Sequence, residues 1–463
     1  MKAIREYTAF IDSKRDECQS TGFDPVDLCP SLFPWQRRVV EWACRQGRSA
    51  LFADTGLGKT IMQCAWAEQV SRLHGPVIIV APLAVGSQTV REAAKFGIGG
   101  LVFTQEPIDA DIVVTNYESI HRFDVSRFAG VVLDESSILK SYTGRVRTRL
   151  IEMFRDAPYR LACTATPSPN DHTELGNHAE FLGIMKRTGM LSRWFVNDAS
   201  HANTWRLKGH GRDHFWSWVC SWARCIGKPS DVGRYSDDGY VLPGLVQSHH
   251  LVDVDLIEGR GAGLFRSIEG SATSIHKEKR RTAPDRALTV AGLVAMEPDE
   301  PWLVWVETDY DAQAVLKALT AAGCPGVEVK GSHSLAIKVK RLDAFAAGEI
   351  RVLVTKPKIA GFGLNWQHCR RMVFAGPGYS YEALYQAIRR CWRFGQTRSV
   401  HAHIVLATTE QGIWANLSRK SNDHENMKGS MFEASRWAAA NRAAVITYYP
   451  THNAAIPRWL ETR

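Results

Sequence analysis

Short stretches of this 463-residue chain are apolar at consecutive positions rather than at alternate ones: ALFA (50–53), VIIVA (77–81), DIVVT (111–115), GVVLD (130–134), LVWV (303–306), VLVT (352–355), RMVFA (371–375) and AHIVL (402–406). Runs apolar on both faces, separated by segments of helical spacing such as DAQAVLKALTAAG (311–323), predict buried parallel strands covered by helices. The runs form two clusters, the first ending near residue 165 and the second beginning near 300, which predicts two α/β lobes. Residues 190–285 are rich in Trp, Gly and charge and lack strong strand signals. They include GKPSDVGRYSDDGYVLPG (227–244), dense in turn residues. The predicted organisation is therefore a helical N-terminal segment (1–30), a first lobe (31–190), a helical, Trp-rich insertion and connection (191–285), a second lobe (286–412) and a helical tail (413–463), with FEASRWAAANRAA (432–444) as its clearest helix.

Composition adds bounds. With 45% hydrophobic residues the chain can bury ample core, and 57 Lys and Arg against 48 Asp and Glu give +9, a balance that permits a polyanionic partner without demanding one. The ten cysteines never fall at C-x-x-C spacing, and MKAIREYTAF at the start lacks the apolar core of a signal peptide. A reduced, cytoplasmic compartment is expected. The longest apolar runs are far short of the roughly 20 residues a membrane helix needs, so no bilayer association is expected.

The chemistry begins at LFADTGLGKT (51–60), which lies between a predicted strand and the helical TIMQCAWAEQV. It matches a P-loop with Ala53 in place of the first glycine. Gly56 and Gly58 let backbone N–H groups curl around a β-phosphate at a helix N-terminus, Lys59 brings a charge to the β- and γ-phosphates, and Thr60 offers a hydroxyl to Mg2+. The nucleotide-binding stretch is then Asp54, Thr55, Gly56, Leu57, Gly58, Lys59 and Thr60. GVVLDESSILK (130–140) delivers Asp134 and Glu135 at a strand's C-terminal end, where ligands of parallel sheets gather. Asp134 can hold the Mg2+ through water, and Glu135 can orient and deprotonate an attacking water.

These motifs, with TATP (164–167) and NDHTELGNHAEFLG behind it, resemble the first lobe of a superfamily 2 helicase of the Swi/Snf branch. DESSILK, and KPSD followed by GYVLP, are similar to helicase-like proteins of bacteriophages and prophages. The resemblance runs from about Phe33 to Leu406 and implies two RecA-like lobes. It implies that Gln36, in LFPWQ (32–36), reads adenine and that Thr164 to Thr166 couple hydrolysis to motion. Nucleic acid would be met at APLAV (81–85), TNYES (115–119), KGSHS (330–334) and TKPKIAGFGLNWQ (355–367), giving Pro82, Leu83, Thr115, Ser332 and Thr355 as contacts and Gly363 as a nucleotide-site residue. The sequence departs from the pattern in DESS for DEAH, in TATP for Thr-Gly-Thr-Pro, and in Trp366.

YQAIRRCWRFGQ (385–396) falls at a late motif of the family. On a helix, Gln386, Arg390 and Arg393 are spaced i, i+4, i+7 and form an outward stripe beside an apolar one of Tyr385, Ile388 and Trp392. If the second lobe closes over a nucleotide held by the first, Arg390 and Arg393 are arginine fingers and Gln386 lies beside the ribose or γ-phosphate. Arg389, between the stripes, reads as a surface charge. In HFWSWVCSWARC (214–225), Phe215, Trp218, Val219 and Trp222 read as core, and Trp216, off that stripe, is a candidate base-stacking platform. His210, His214, Cys220 and Cys225 suit no common zinc spacing, and HKEKRR (276–281) reads as a solvated helix face or, alternatively, as phosphate contact from the second lobe.

The expected function is an ATP- and Mg2+-dependent helicase or translocase acting on nucleic acid, DNA before RNA, with phage or host replication and recombination proteins as candidate partners. The alternatives are an RNA helicase with the same core, or a nucleotide-gated DNA clamp with negligible turnover. Glu135, Arg390 and Arg393 argue against the clamp, which needs none of them.

Overall fold

The computed structural model describes residues 20–140, 144–168, 171–197, 205–254, 272–360 and 365–440. In chain order its strands are β1 (Arg48–Ala53), β2 (Val77–Ala81), β3 (Leu101–Phe103), β4 (Ile112–Asn116), β5 (Gly130–Asp134), β6 (Tyr159–Cys163), a ribbon of β7 (Phe195–Asn197) and β8 (Trp205–Leu207), and then β9 (Ala223–Ile226). After these come β10 (Leu245–Val252), β11 (Trp302–Val306), β12 (Val327–Val329), β13 (Val352–Thr355), β14 (Arg371–Ala375) and β15 (Val400–Ala407). Two parallel sheets result, ordered β3-β4-β2-β5-β6-β1-β9 and β10-β15-β14-β11-β13-β12. These are the two RecA-like lobes.

The continuous apolar runs are explained by burial on both faces. In β2, Ile78 and Val80 enter one core cluster while Val77 and Ile79 enter another. In β11, Leu303 and Trp305 separate in the same way from Trp302, Val304 and Val306. Successive side chains of a strand point to opposite faces, so a strand under two helical layers is apolar at most positions on both.

Strands that escape the apolar pattern are peripheral or carry a satisfied charge. β6 contains Arg160, which is buried because its guanidinium donates to Ala157 O (2.9 Å) and Phe181 O (2.7 Å). β9 and β10, both from the Trp-rich region, are edge strands pairing with β1 and β15. The region between the lobes is thus helical at Arg212–Trp222 and also contributes an edge to each sheet. Trp216 is only 4% exposed and packs with Phe215 and His172, which corrects its assignment as a base-stacking platform. Lys279 is also buried, pairing with Glu307 (2.8 Å) and donating to Gly376 O (3.1 Å), so HKEKRR is not a purely solvated face.

Of the segment expected to be helical at the N-terminus, 1–19 lies outside the described residues and 20–30 forms no helix. At the other end, one helix runs from Gln411 to Ala440. It starts in the second lobe's core with Ile413 and Leu417 and finishes in the first lobe's core with Met427 and Met431. Residues 441–463 lie outside the described ones. Among the described residues, no helix is long and apolar enough to cross a membrane, and nine cysteines are free and buried.

Candidate active site

The chain leaves β1 at Ala53 and enters the Lys59–His74 helix through a loop with two left-handed glycines, Gly56 (φ 88°) and Gly58 (φ 74°). A Cβ at Gly58 would lie 2.5 Å from Gln36 Nε2, and one at Gly56 would lie 3.0 Å from Phe394 N, so both positions require glycine for shape as well as for conformation. Gln36 is buried. Its Oε1 accepts from Phe33 N (3.0 Å) and its Nε2 donates to Leu57 O (3.0 Å). It therefore fixes the loop, with one amide hydrogen and one lone pair left for a base. Lys59 Nζ donates to Ala53 O (2.9 Å), which holds the ammonium under the loop.

Asp134, at the end of β5, is buried beside this loop. Burial first, then the neighbouring Glu135, push its carboxyl up to about 7, with Lys59 opposing. Glu135 has φ 53°, a left-handed backbone uncommon outside glycine, and marks a strained turn. Its Oε2 accepts from the Thr164 hydroxyl (3.3 Å), whose oxygen accepts from Thr166 N (3.1 Å). Tyr117 donates to Asp134 O (2.6 Å), and the Ser136 hydroxyl bonds His178 Nε2 (3.1 Å). Burial pulls the His178 imidazole down to about 4, so it is neutral at pH 7. The stretch behind TATP thus props the acidic turn from below.

The second lobe meets this edge in a way the sequence pattern did not predict. The helix runs only from Tyr381 to Ile388, so Gln386 is helical and half-buried while Arg390 and Arg393 lie in the turns that follow. They do not form an outward stripe. Arg390 is buried near Glu135; its own burial and then Arg393 pull its guanidinium down to about 10 against the pull of Glu135. Arg393 is drawn down to about 10 by burial and then by Arg389, and its Cβ comes 3.6 Å from where a Gly56 Cβ would stand.

Arg389, read as a surface charge, is 4% exposed. It donates to Thr55 O (2.8 Å) and to the Thr55 hydroxyl, and pairs with Asp54 at 3.2 Å. All three arginines therefore face the first lobe. Trp392 is half-buried and donates to Pro243 O (2.7 Å). A cavity of about 230 Å³ remains between the lobes, lined among others by Asp54, Gly56, Tyr240, Arg389, Trp392 and Phe394.

Further contacts that sequence reasoning missed join the lobes beside this cavity. Glu382 accepts from the Thr166 hydroxyl (3.4 Å) and pairs with Lys140. Tyr385 donates to Asp54 (2.6 Å), and Lys428, on the Gln411–Ala440 helix, pairs with Asp54 at 3.1 Å. Arg389 and Tyr385 lay inside a stretch already singled out. Nothing in the periodicity of a polar helix distinguishes Lys428.

The donor set suits a magnesium nucleotide. Two left-handed glycines open a backbone cradle at a helix N-terminus, and a buried carboxyl, Asp134, pushed up by burial and by the adjacent half-buried Glu135, is stabilised by a cation. Thr60 and Asp134 would hold the metal. Among the described residues, no cluster of three or more His, Cys, Asp or Glu is placed to hold a metal ion.

Of the residues expected to touch nucleic acid, Leu83 is 53% exposed beside Pro82 at a helix start, and Ser332 is exposed. Thr115 and Thr355 are buried inside β4 and β13, with the Thr355 hydroxyl donating to Val329 O (2.9 Å), which removes both as surface contacts. Gly363 lies outside the described residues. Cys220 and Cys225 are buried around Ser435, on a helix and a strand respectively.

The family models of the SNF2-related domain and the helicase conserved C-terminal domain match residues 35–208 and 286–395. The chain is 23% identical to the mouse (Mus musculus) DNA annealing helicase and endonuclease ZRANB3 over 86% of this chain and 41% of that protein. It is 24% identical to the Xenopus tropicalis SWI/SNF-related matrix-associated actin-dependent regulator of chromatin subfamily A-like protein 1, over 88% of this chain and 46% of that protein. It therefore spans less than half the length of these relatives. A solved structure, the Sulfolobus solfataricus SWI2/SNF2 ATPase core in complex with dsDNA, aligns over 90% of this chain and 96% of that one at 16% identity and a TM-score of 0.40. With an SNF2-related domain on the first lobe and a helicase C-terminal domain on the second, the chain belongs to the SNF2-type helicases.

Proposed function

We propose that this chain is an ATP-dependent DNA translocase or helicase that hydrolyses ATP between its lobes to move along DNA, in phage DNA replication, recombination or repair, with residues 31–190 and 286–412 as the moving bodies. The observation that carries the reading is the convergence of the P-loop, the Asp134–Glu135 turn and three second-lobe arginines on one cleft.

Each residue then has a task. The 54–60 loop binds the phosphates through its backbone amides, and Lys59 exchanges Ala53 O for a phosphate oxygen. Mg2+ held by Thr60 and Asp134 would neutralise phosphate charge. Glu135 orients the attacking water and takes its proton, while Arg390 and Arg393 stabilise charge on the transferred phosphoryl. The state of Glu135 reaches the second lobe through Thr164, Thr166 and Glu382, a chain of hydrogen bonds from catalytic base to moving body.

The test is ATP turnover measured with duplex DNA, single-stranded DNA and RNA at fixed salt. Stimulation by DNA is expected. Stimulation by RNA alone makes the protein an RNA helicase, and tight DNA binding without turnover makes it a nucleotide-gated clamp.

A further inference from the structure

The Gln411–Ala440 helix belongs to neither lobe alone. Its first turns pack Ile413 and Leu417 into the second lobe's core, and two to three turns later Met427 and Met431 enter the first lobe's core. Its far end is pinned there by Ser435, which accepts from Cys225 N (3.1 Å), and by Ser430, which accepts from Arg212 (2.6 Å). On the way it brings Lys428 to the mouth of the P-loop.

At that point one half-buried carboxylate serves four donors. Asp54 Oδ1 accepts from Thr55 N (2.7 Å) and the Tyr385 hydroxyl (2.6 Å) and pairs with Arg389 Nη2 (3.2 Å), while Oδ2 takes Lys428 Nζ (3.1 Å). Lys428 also donates to the Tyr385 oxygen (3.1 Å). Burial alone would raise the Asp54 carboxyl, but Arg389, Lys428 and Tyr385 outweigh it and hold the group ionised. Lys428 likewise resists burial through Tyr385 and Asp54 and keeps its charge.

Two cations sharing one anion leave a net positive charge on the wall of the nucleotide cavity. With Oδ2 occupied by Lys428, Arg389 engages Asp54 through Nη2 only, and that nitrogen and Nε donate to the carbonyl and hydroxyl of Thr55, inside the loop. Without Lys428, the bare Oδ2 would draw Arg389 into a two-pronged pair with Asp54, neutralising it and pulling it off the loop.

We propose that Lys428 is a positioning residue of the nucleotide site: by occupying Asp54 Oδ2 it holds Arg389 against Thr55 of the P-loop, so that nucleotide affinity depends on the C-terminal helix being docked across both lobes. The proposal rests on the P-loop taking ATP, as argued above.

The test is a cycle of four full-length proteins, wild type, Lys428→Met, Asp54→Asn and the combination, with Lys428→Arg as the conservative control. Each is assayed for KM(ATP) and kcat with saturating DNA, and for thermal unfolding. Lys428→Met should raise KM(ATP) about tenfold with a smaller change in kcat, and in the Asp54→Asn background the same change should add less than about twofold, since the coupling runs through one carboxylate. Lys428→Arg should restore KM to within about twofold of wild type. The two proteins carrying Asp54→Asn have no stranded carboxylate, so their comparison stands even if Lys428→Met alone fails to fold. An unchanged KM in Lys428→Met, equal KM effects in both backgrounds, or failure of Lys428→Arg overturns the proposal while leaving ATP hydrolysis intact. Absence of both turnover and ATP binding in the wild type overturns the nucleotide reading itself.

Discussion

The two walls of the nucleotide cleft are built by different means. On the first lobe the wall is backbone: Gly56, Gly58 and Glu135 all hold positive φ beyond the C-terminal ends of strands buried on both faces. On the second lobe the wall is long side chains, Arg389, Arg390 and Arg393, on turns after a helix has ended, and their places are set by groups of the other lobe. On the function proposed above, the backbone cradle supplies its phosphate contacts from one lobe, whereas the arginines add theirs only when the lobes meet.

The sharpest way to break this division is to disable the first wall. Lys59→Ala should remove turnover by three decades or more, an order-of-magnitude expectation for a phosphate clamp, and weaken nucleotide binding with the fold unchanged. Wild-type turnover in that variant would show that the cradle is not the phosphate site. Glu135→Gln follows, with a loss of about 10² to 10³-fold in rate and ATP binding retained, since the amide keeps the shape and loses only the base. Nucleotide titration of the purified variant decides it. Loss of binding would make the strained turn structural.

The same division explains what could be read from residue order. β2, β5, β13 and β14 were legible to the residue because a strand buried on both faces leaves an unbroken apolar run. The P-loop and the acidic turn were legible because their chemistry is local, set by glycine spacing and by position after a strand. β6, β9 and β10 were not, since Arg160 is satisfied by carbonyls far along the chain and edge strands need no continuous apolar face. The arginine stripe failed for a specific reason. It assumed the helix would continue to Arg393, whereas it stops at Ile388, and left-handed Gly395 (φ 89°) shapes the turns beyond. Lys428 had no local signature at all, because its partner lies 374 residues away.

The second wall can be probed by separating its arginines. Arg393→Ala should cut DNA-stimulated turnover by about 10² to 10³-fold, as for removal of one transition-state donor. Its thermal stability should change little: its Nε has no hydrogen-bond partner among the described residues, and its departure relieves the crowding with Arg389. Arg389→Ala should instead lower stability, by about 1 to 3 kcal/mol, because it removes one of the two cations that compensate half-buried Asp54. Calorimetry and steady-state rates on both variants give the pair of readings. Identical profiles for the two would mean that the turn is a generic basic segment and not a wall with divided tasks.

The smallest effects compare the lobes through two threonines that the family resemblance assigned to nucleic acid. Thr355 spends its hydroxyl on Val329 O inside the second sheet, while the Thr115 hydroxyl, in the first, is buried with no hydrogen-bond partner among the described residues. Thr355→Val should therefore cost about 1 kcal/mol, the net worth of one hydrogen bond and the acceptor left behind. Thr115→Val exchanges an unsatisfied hydroxyl for a methyl of similar volume, which should leave stability unchanged or raise it by up to about 1 kcal/mol. Both variants should bind DNA as the wild type does, because neither side chain reaches the surface. Chemical denaturation with linear extrapolation resolves differences of this size, and a salt titration of DNA affinity reads the second quantity. A weakened affinity in either variant would mean that the strand ends open to admit the polymer, and the interior of that lobe would then be part of the moving surface.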